Sequence, residues 1–121
     1  MRLTDPKLIQ SVLKALSDEK SCLILSKLSD KSLSAMDLIR QENLPVSSTY
    51  RKISELEEEG LIGIDRAIVM PDGKSYNLFK STFSDFTIQF SNGKVSLEGT
   101  PNADILDKAF NLFYSFRRKK K

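Results

Sequence analysis

The apolar residues of this chain change period at Gly60, and that change limits what it is able to form. Before Gly60, Leu, Ile and Val recur at spacings of three and four, as in helices with one buried face. After it, apolar residues alternate with polar ones around two turn signals, Pro71-Asp72-Gly73 and Asn92-Gly93, a pattern that marks paired strands. A helical half followed by a strand-rich half within 121 residues suits one domain of the α+β class with little room to spare.

Asp5 followed by Pro6 reads as a helix cap with proline at the first helical position, and Leu8, Ile9, Val12, Leu13 and Leu16 follow at helical spacing. Ser17 and Asp18 start a second helix, in which Cys22, Leu25 and Leu28 are expected to form the buried stripe with Leu23 and Ile24 beside it. Ser34 with Asp37 makes a capping box ahead of Met36, Leu38 and Ile39, so a short third helix is expected. Asn43-Leu44-Pro45 interrupts it, because the residue before a proline disfavours helical geometry. Ser47 is then expected to cap a fourth helix that runs to about Glu59, where Gly60 supplies the left-handed ending.

The runs from Leu61 to Val69 and from Ser75 to Lys80 should pair as one hairpin. Phe86, Ile88 and Phe90 alternate up to Asn92-Gly93, a type I′ turn signal, and Val95 and Leu97 alternate on the return, giving a second hairpin. Asn102 is placed to cap a last helix with a broad apolar face made by Ile105, Leu106, Ala109, Phe110, Leu112, Phe113 and Phe116.

Composition narrows the chemistry. Histidine is absent and Cys22 is the only cysteine, so the usual zinc sites, Ser-His-Asp triads, Cys-His pairs and intrachain disulfides cannot be assembled within one chain. Neither a nucleophile-base pairing nor a glycine-rich phosphate loop is recognisable, so no enzymatic activity and no cofactor are expected. No apolar run approaches the ~20 residues of a membrane span, and Met1 to Pro6 lacks a signal peptide's apolar stretch, so a cytoplasmic protein is expected. The net charge is +3, but five of the nineteen basic residues form the run Arg117 to Lys121; the other fourteen face sixteen acidic residues, a body of net charge −2. Any nucleic-acid face must therefore come from local clustering rather than bulk charge.

That clustering occurs in the fourth helix. Leu44-Pro45-Val46-Ser47-Ser48-Thr49-Tyr50-Arg51-Lys52-Ile53-Ser54-Glu55-Leu56-Glu57-Glu58-Glu59-Gly60-Leu61-Ile62 resembles the recognition-helix segment of ArsR-type winged-helix regulators, particularly archaeal ones. Leucine, a small capping turn, Ser-Ser-Thr, a basic pair, buried Leu/Ile, an acidic patch and Gly-Leu-Ile are the shared pattern, and the resemblance covers roughly Leu8 to Lys80. It implies a winged helix-turn-helix of three to four helices and a β-hairpin wing; the extra hairpin and the C-terminal helix fit the family pattern less well, although members often add a terminal dimerisation helix. The implied division is a DNA-binding domain over residues 6–80, an added hairpin over 81–99, a dimerisation helix over 102–116 and a basic tail over 117–121. ArsR-type metal sensors carry paired cysteines in or near this helix; none is present here, so no metal site is expected.

Spacing assigns the faces. Thr49, Ile53 and Leu56 should pack inward, leaving Ser47, Ser48, Tyr50, Arg51 and Ser54 outward as DNA-binding candidates, with Arg51 able to reach guanine bidentately. Lys52, and Arg66 and Lys74 flanking the wing turn, are candidates for backbone phosphates. The simpler reading makes the serines caps, Arg51 a solvated charge and Tyr50 a cover for the core edge. Three phenylalanines and several aliphatics in the last helix exceed what one side of a lone helix hides, so a homodimer is expected; folding back onto the second hairpin is the competing arrangement. Two further readings stay open: a protein-protein adaptor using Glu55 to Glu59 or the last helix, and an apolar ligand pocket enclosed by the Phe83, Phe86 and Phe90 region and the last helix.

Overall fold

In a computed structural model, residues 1–105 are described. The helical half consists of α1 (Pro6–Ser17), α2 (Glu19–Lys27), α3 (Ala35–Glu42) and α4 (Val46–Glu58). Asp5 caps α1 by accepting from the Lys7 N–H at 3.1 Å, with Pro6 in the first turn. Asp18 ends α1 and caps α2, and it accepts from both the N–H and the hydroxyl of Ser21. Both arms of the Ser34/Asp37 capping box are present at 3.0 Å. Asn43 in the left-handed region stops α3, and Gly60, with φ +78°, follows α4.

Two helix expectations need correcting. Pro45, not Ser47, takes the capping position of α4, which begins at Val46 without any side-chain cap. The extended Pro45 points its carbonyl at the Thr49 N–H, 3.2 Å away, so the helix starts two residues earlier and leaves Ser47 in its first turn. In α2 the buried stripe is Ser21, Ile24, Leu25 and Leu28, while Cys22 is only half-buried. A serine is admitted to the inward face because Asp18 satisfies its polar groups, and that rotates the cysteine sideways.

The strand half holds two hairpins. The wing pairs β2 (Ile62–Val69) with β3 (Ser75–Ser81) around Pro71-Asp72-Gly73, where Gly73 has φ +88°. The ladder shifts register between Ile64 and Arg66, so the wing bends at Asp65. Leu33 adds an isolated bridge to Phe79, tying the start of α3 to the wing. The second hairpin pairs β4 (Phe83–Ser91) with β5 (Lys94–Pro101) around Asn92 and Gly93, both at positive φ as a type I′ turn demands.

Residues Arg2–Leu3 form a short strand, β1, that precedes the helices, pairs with β5 and gives a sheet ordered β1-β5-β4. Two residues are too few to show alternation, which is why this strand was not read from sequence. The second hairpin shares its core with the helices: Leu3, Phe83 and Leu97 belong to one buried cluster with Val12, Ile24, Leu28, Leu38, Ile53 and Leu61.

After β5 the chain turns into a last helix at Ala103. Asn102 stands at its start: its backbone carbonyl accepts from the Ile105 N–H at 3.1 Å, and its side-chain amide donates to the Ser81 carbonyl at 2.8 Å. Ile105, expected at a dimer interface, is 2% exposed within its own chain. It packs on Gly63 so closely that a Cβ there would lie 2.8 Å from its Cγ2. Leu106, Ala109, Phe110, Leu112, Phe113, Phe116 and the 117–121 tail lie outside the described residues.

Because Leu97 is fully buried between the second hairpin and the helices, Leu97→Ala should destabilise the whole unit by roughly 2–5 kcal/mol. Denaturant unfolding followed by helical circular dichroism would show it; an unchanged midpoint would mean that the hairpin does not share the helical core.

Candidate nucleic-acid interface

α4 is seated by Thr49, Ile53 and Leu56, all buried as their spacing predicts. The opposite side presents Val46, Ser47, Tyr50, Arg51 and Ser54, each exposed. Steps of 100° per residue put these five on one arc of about 140° that begins at the helix's first turn. The arc mixes two apolar bodies, two hydroxyls and a guanidinium. Among the described residues Arg51 has no ion-pair partner, and neither do Arg66 and Lys74 on the exposed wing.

Two of the eight expected contact residues are placed differently. Ser48 is half-buried, and its hydroxyl oxygen is shielded without a hydrogen-bond partner. Lys52 is turned back toward the body, where its Nζ lies 2.7 Å from Asp18 Oδ2. That bond joins the middle of α4 to the corner between α1 and α2, so Lys52 fixes the helix that carries Arg51. Val46 is the contact candidate that sequence reasoning missed; it followed the interrupting proline and was grouped with the turn, but the earlier helix start exposes it on the outer arc.

Charge changes sign along α4. Its last turns carry Glu55, Glu57 and Glu58 exposed and no basic residue. Carboxylates at a helix C-terminus oppose the backbone dipole, which makes this end a cost rather than a local stabiliser. Desolvation, and then the neighbouring charge of Glu58, push the Glu57 carboxyl above its ordinary value. Negative charge on α4 is thus confined to its last turns, and its first turns carry none.

Phe83, Phe86 and Phe90 do not form one cluster among the described residues. Phe83 is buried and packs against Phe86 with ring centroids 5.2 Å apart, whereas Phe90 is largely exposed. No helix among the described residues is long and apolar enough to cross a membrane.

The three-helix platform with a protruding α4 and a following hairpin is a winged helix-turn-helix. No family model matches the chain, and no curated protein matches it. Among solved structures it is similar to HlyU from Vibrio cholerae, at 16% identity over 90% of this chain and 91% of that one, with a TM-score of 0.44. It is also similar to an ArsR family transcriptional regulator, at 14% identity over 96% and 92%, TM-score 0.45. NolR from Sinorhizobium fredii is similar at 13% identity over 96% of both chains, TM-score 0.43.

The Lys52 ammonium, followed by the Ser21 hydroxyl and N–H, holds the Asp18 carboxyl well below the usual carboxylate range. A depressed folded pKa means that the resulting stability is present above the unfolded value of about 3.9 and is lost as pH falls below it. Asp18→Ala should therefore melt below the parent at pH 7, with the gap narrowing as pH drops through about 4. A gap constant with pH in thermal scans would mean that charge is not what the pairing contributes.

Proposed function

We propose that this chain is a transcriptional regulator that binds double-stranded DNA sequence-specifically as a homodimer, without catalysis, in the cytoplasm. The observation that carries the reading is the exposed arc at the start of α4, which holds Arg51 at one edge without an ion-pair partner among the described residues. A major groove accepts one helix, and a helix entering by its N-terminal turns brings the arc to the base edges. Arg51 pairs with guanine O6 and N7, Ser47 and Ser54 reach base edges or phosphates, and Val46 and Tyr50 meet thymine methyl groups. Arg66 and Lys74 of the wing hold phosphates on the adjoining groove, which sets position rather than sequence.

The dimer places two such arcs on a two-fold-related site. Its apolar contacts come from Leu106, Ala109, Phe110, Leu112, Phe113 and Phe116, and Ile105 is withdrawn from that set because its own chain covers it. The Arg117 to Lys121 tail adds salt-sensitive affinity.

A second reading, a protein-protein adaptor, draws on the acidic end of α4, where exposed carboxylates are kept against the helix dipole. Selection from random duplexes followed by titration separates the two. Arg51→Ala should weaken binding to the selected site by about 5- to 150-fold, the equivalent of one bidentate Arg–guanine pair, and weaken random duplex much less. Equal losses on both duplexes, or no selected site at all, would favour the adaptor.

A further inference from the structure

The outer strand of the second hairpin is an open edge with an unusual composition. In the order β1-β5-β4, one side of β4 has no neighbour among the described residues. Proteins commonly guard such an edge with charge, proline or a bulge. Here the register shift between Phe83 and Asp85 and the Asp85 charge guard only its start, and Phe86 to Ser91 contains neither charge nor proline.

Backbone parity shows which groups the edge offers. The pair closing a two-residue hairpin exchanges both backbone hydrogen bonds, and this exchange alternates along the ladder. With Ser91 and Lys94 closing the turn, Thr87 and Gln89 bond inward to Glu98 and Ser96. Gly99 fits this alternation: its N–H and carbonyl both bond to Met1, away from Phe86. The N–H and C=O of Phe86, Ile88 and Phe90 therefore point out of the sheet edge. The side chains of the same residues share one face with Val95 and Leu97, and toward the turn that face is bare: Ile88 is 45%, Phe90 73% and Val95 39% exposed.

We infer that β4 pairs antiparallel with β4 of a second copy of this chain about a two-fold axis at Ile88, joining two three-stranded sheets into one of six strands. The segment is self-complementary in that register. Ile88 lies opposite the partner's Ile88, Phe86 opposite the partner's Phe90 and Thr87 opposite the partner's Gln89, so apolar meets apolar and polar meets polar. The three residues with outward backbone groups are also the ones brought into hydrogen-bonded pairs. Charges agree as well: Asp85 faces the partner's Ser91, and one strand beyond, roughly 10 Å away, stands the partner's Lys94. A strand pair alone falls short of the ~1,200 Å² that a stable interface buries, and the apolar residues between Leu106 and Phe116 are the sequence's remaining source of area.

This inference deepens the homodimer of the proposed function, and its test is kept apart from DNA binding. Ile88→Pro removes an outward N–H that no described residue of its own chain uses, which an edge strand tolerates. In sedimentation at micromolar concentrations the parent should be a dimer, and Ile88→Pro, with parental circular dichroism, should dissociate at least tenfold more readily. In a Cys22→Ser background, Ile88→Cys should oxidise to a covalent dimer while Phe90→Cys, whose two copies lie about 14 Å apart along the paired strands, should not. Equal cross-linking at the two positions, or a fully dimeric Ile88→Pro protein, would overturn the β4 pairing and leave the homodimer standing. A parent that is monomeric throughout would remove both, whatever Arg51→Ala does on DNA.

Discussion

Ser81 and Thr82 sit where the two hairpins meet, and their hydrogen bonds hold the molecule's parts in register. The Ser81 hydroxyl donates to the Leu25 carbonyl and its N–H to the Leu28 carbonyl, closing the end of α2 against the wing. The Thr82 hydroxyl donates to the Gly60 carbonyl just after α4, its N–H donates to Leu61, and its carbonyl accepts from the Asn102 N–H. Both residues are buried, so each bond left unmade there costs about 1–3 kcal/mol, more than the ~1 kcal/mol a typical bond contributes when made. Two small polar residues thus align α2, the exit of α4, both hairpins and the root of the last helix.

The exposed arc of α4 is only as well placed as this frame. Thr49, Ile53 and Leu56 set its depth in the core, and the Lys52–Asp18 bond sets its rotation against the α1–α2 corner. A residue expected to touch DNA serves instead to orient the residues beside it. Within one turn of helix, Lys52 is engaged while Arg51 has no ion-pair partner among the described residues. Net charge does not distinguish these two roles; the position of Asp18 does.

Local signals were strong enough to read the helices, both turns and the inward face of α4 from sequence. The Ser34/Asp37 box, Gly60 and Asn92-Gly93 each act over a few residues and need no tertiary context. What escaped depends on partners distant in sequence. Leu3 joins a sheet through Leu97, Leu33 bridges to Phe79, and Ser21 turns inward because Asp18 satisfies it. Ile105 was legible as apolar, but its burial on Gly63 was not, since periodicity gives a face without saying what covers it. For the candidate interface the outer arc was readable except for Val46, whose exposure follows from the helix starting directly after Pro45.

The contact between Gly63 and Ile105 links two parts that a sequence reader would treat as independent. The isoleucine occupies the volume that any larger residue at position 63 would need. These positions are therefore expected to covary in natural variants, a bulkier residue on the wing accompanied by a trimmed one at 105. The geometry of the wing root and the placement of Ile105 are inherited together.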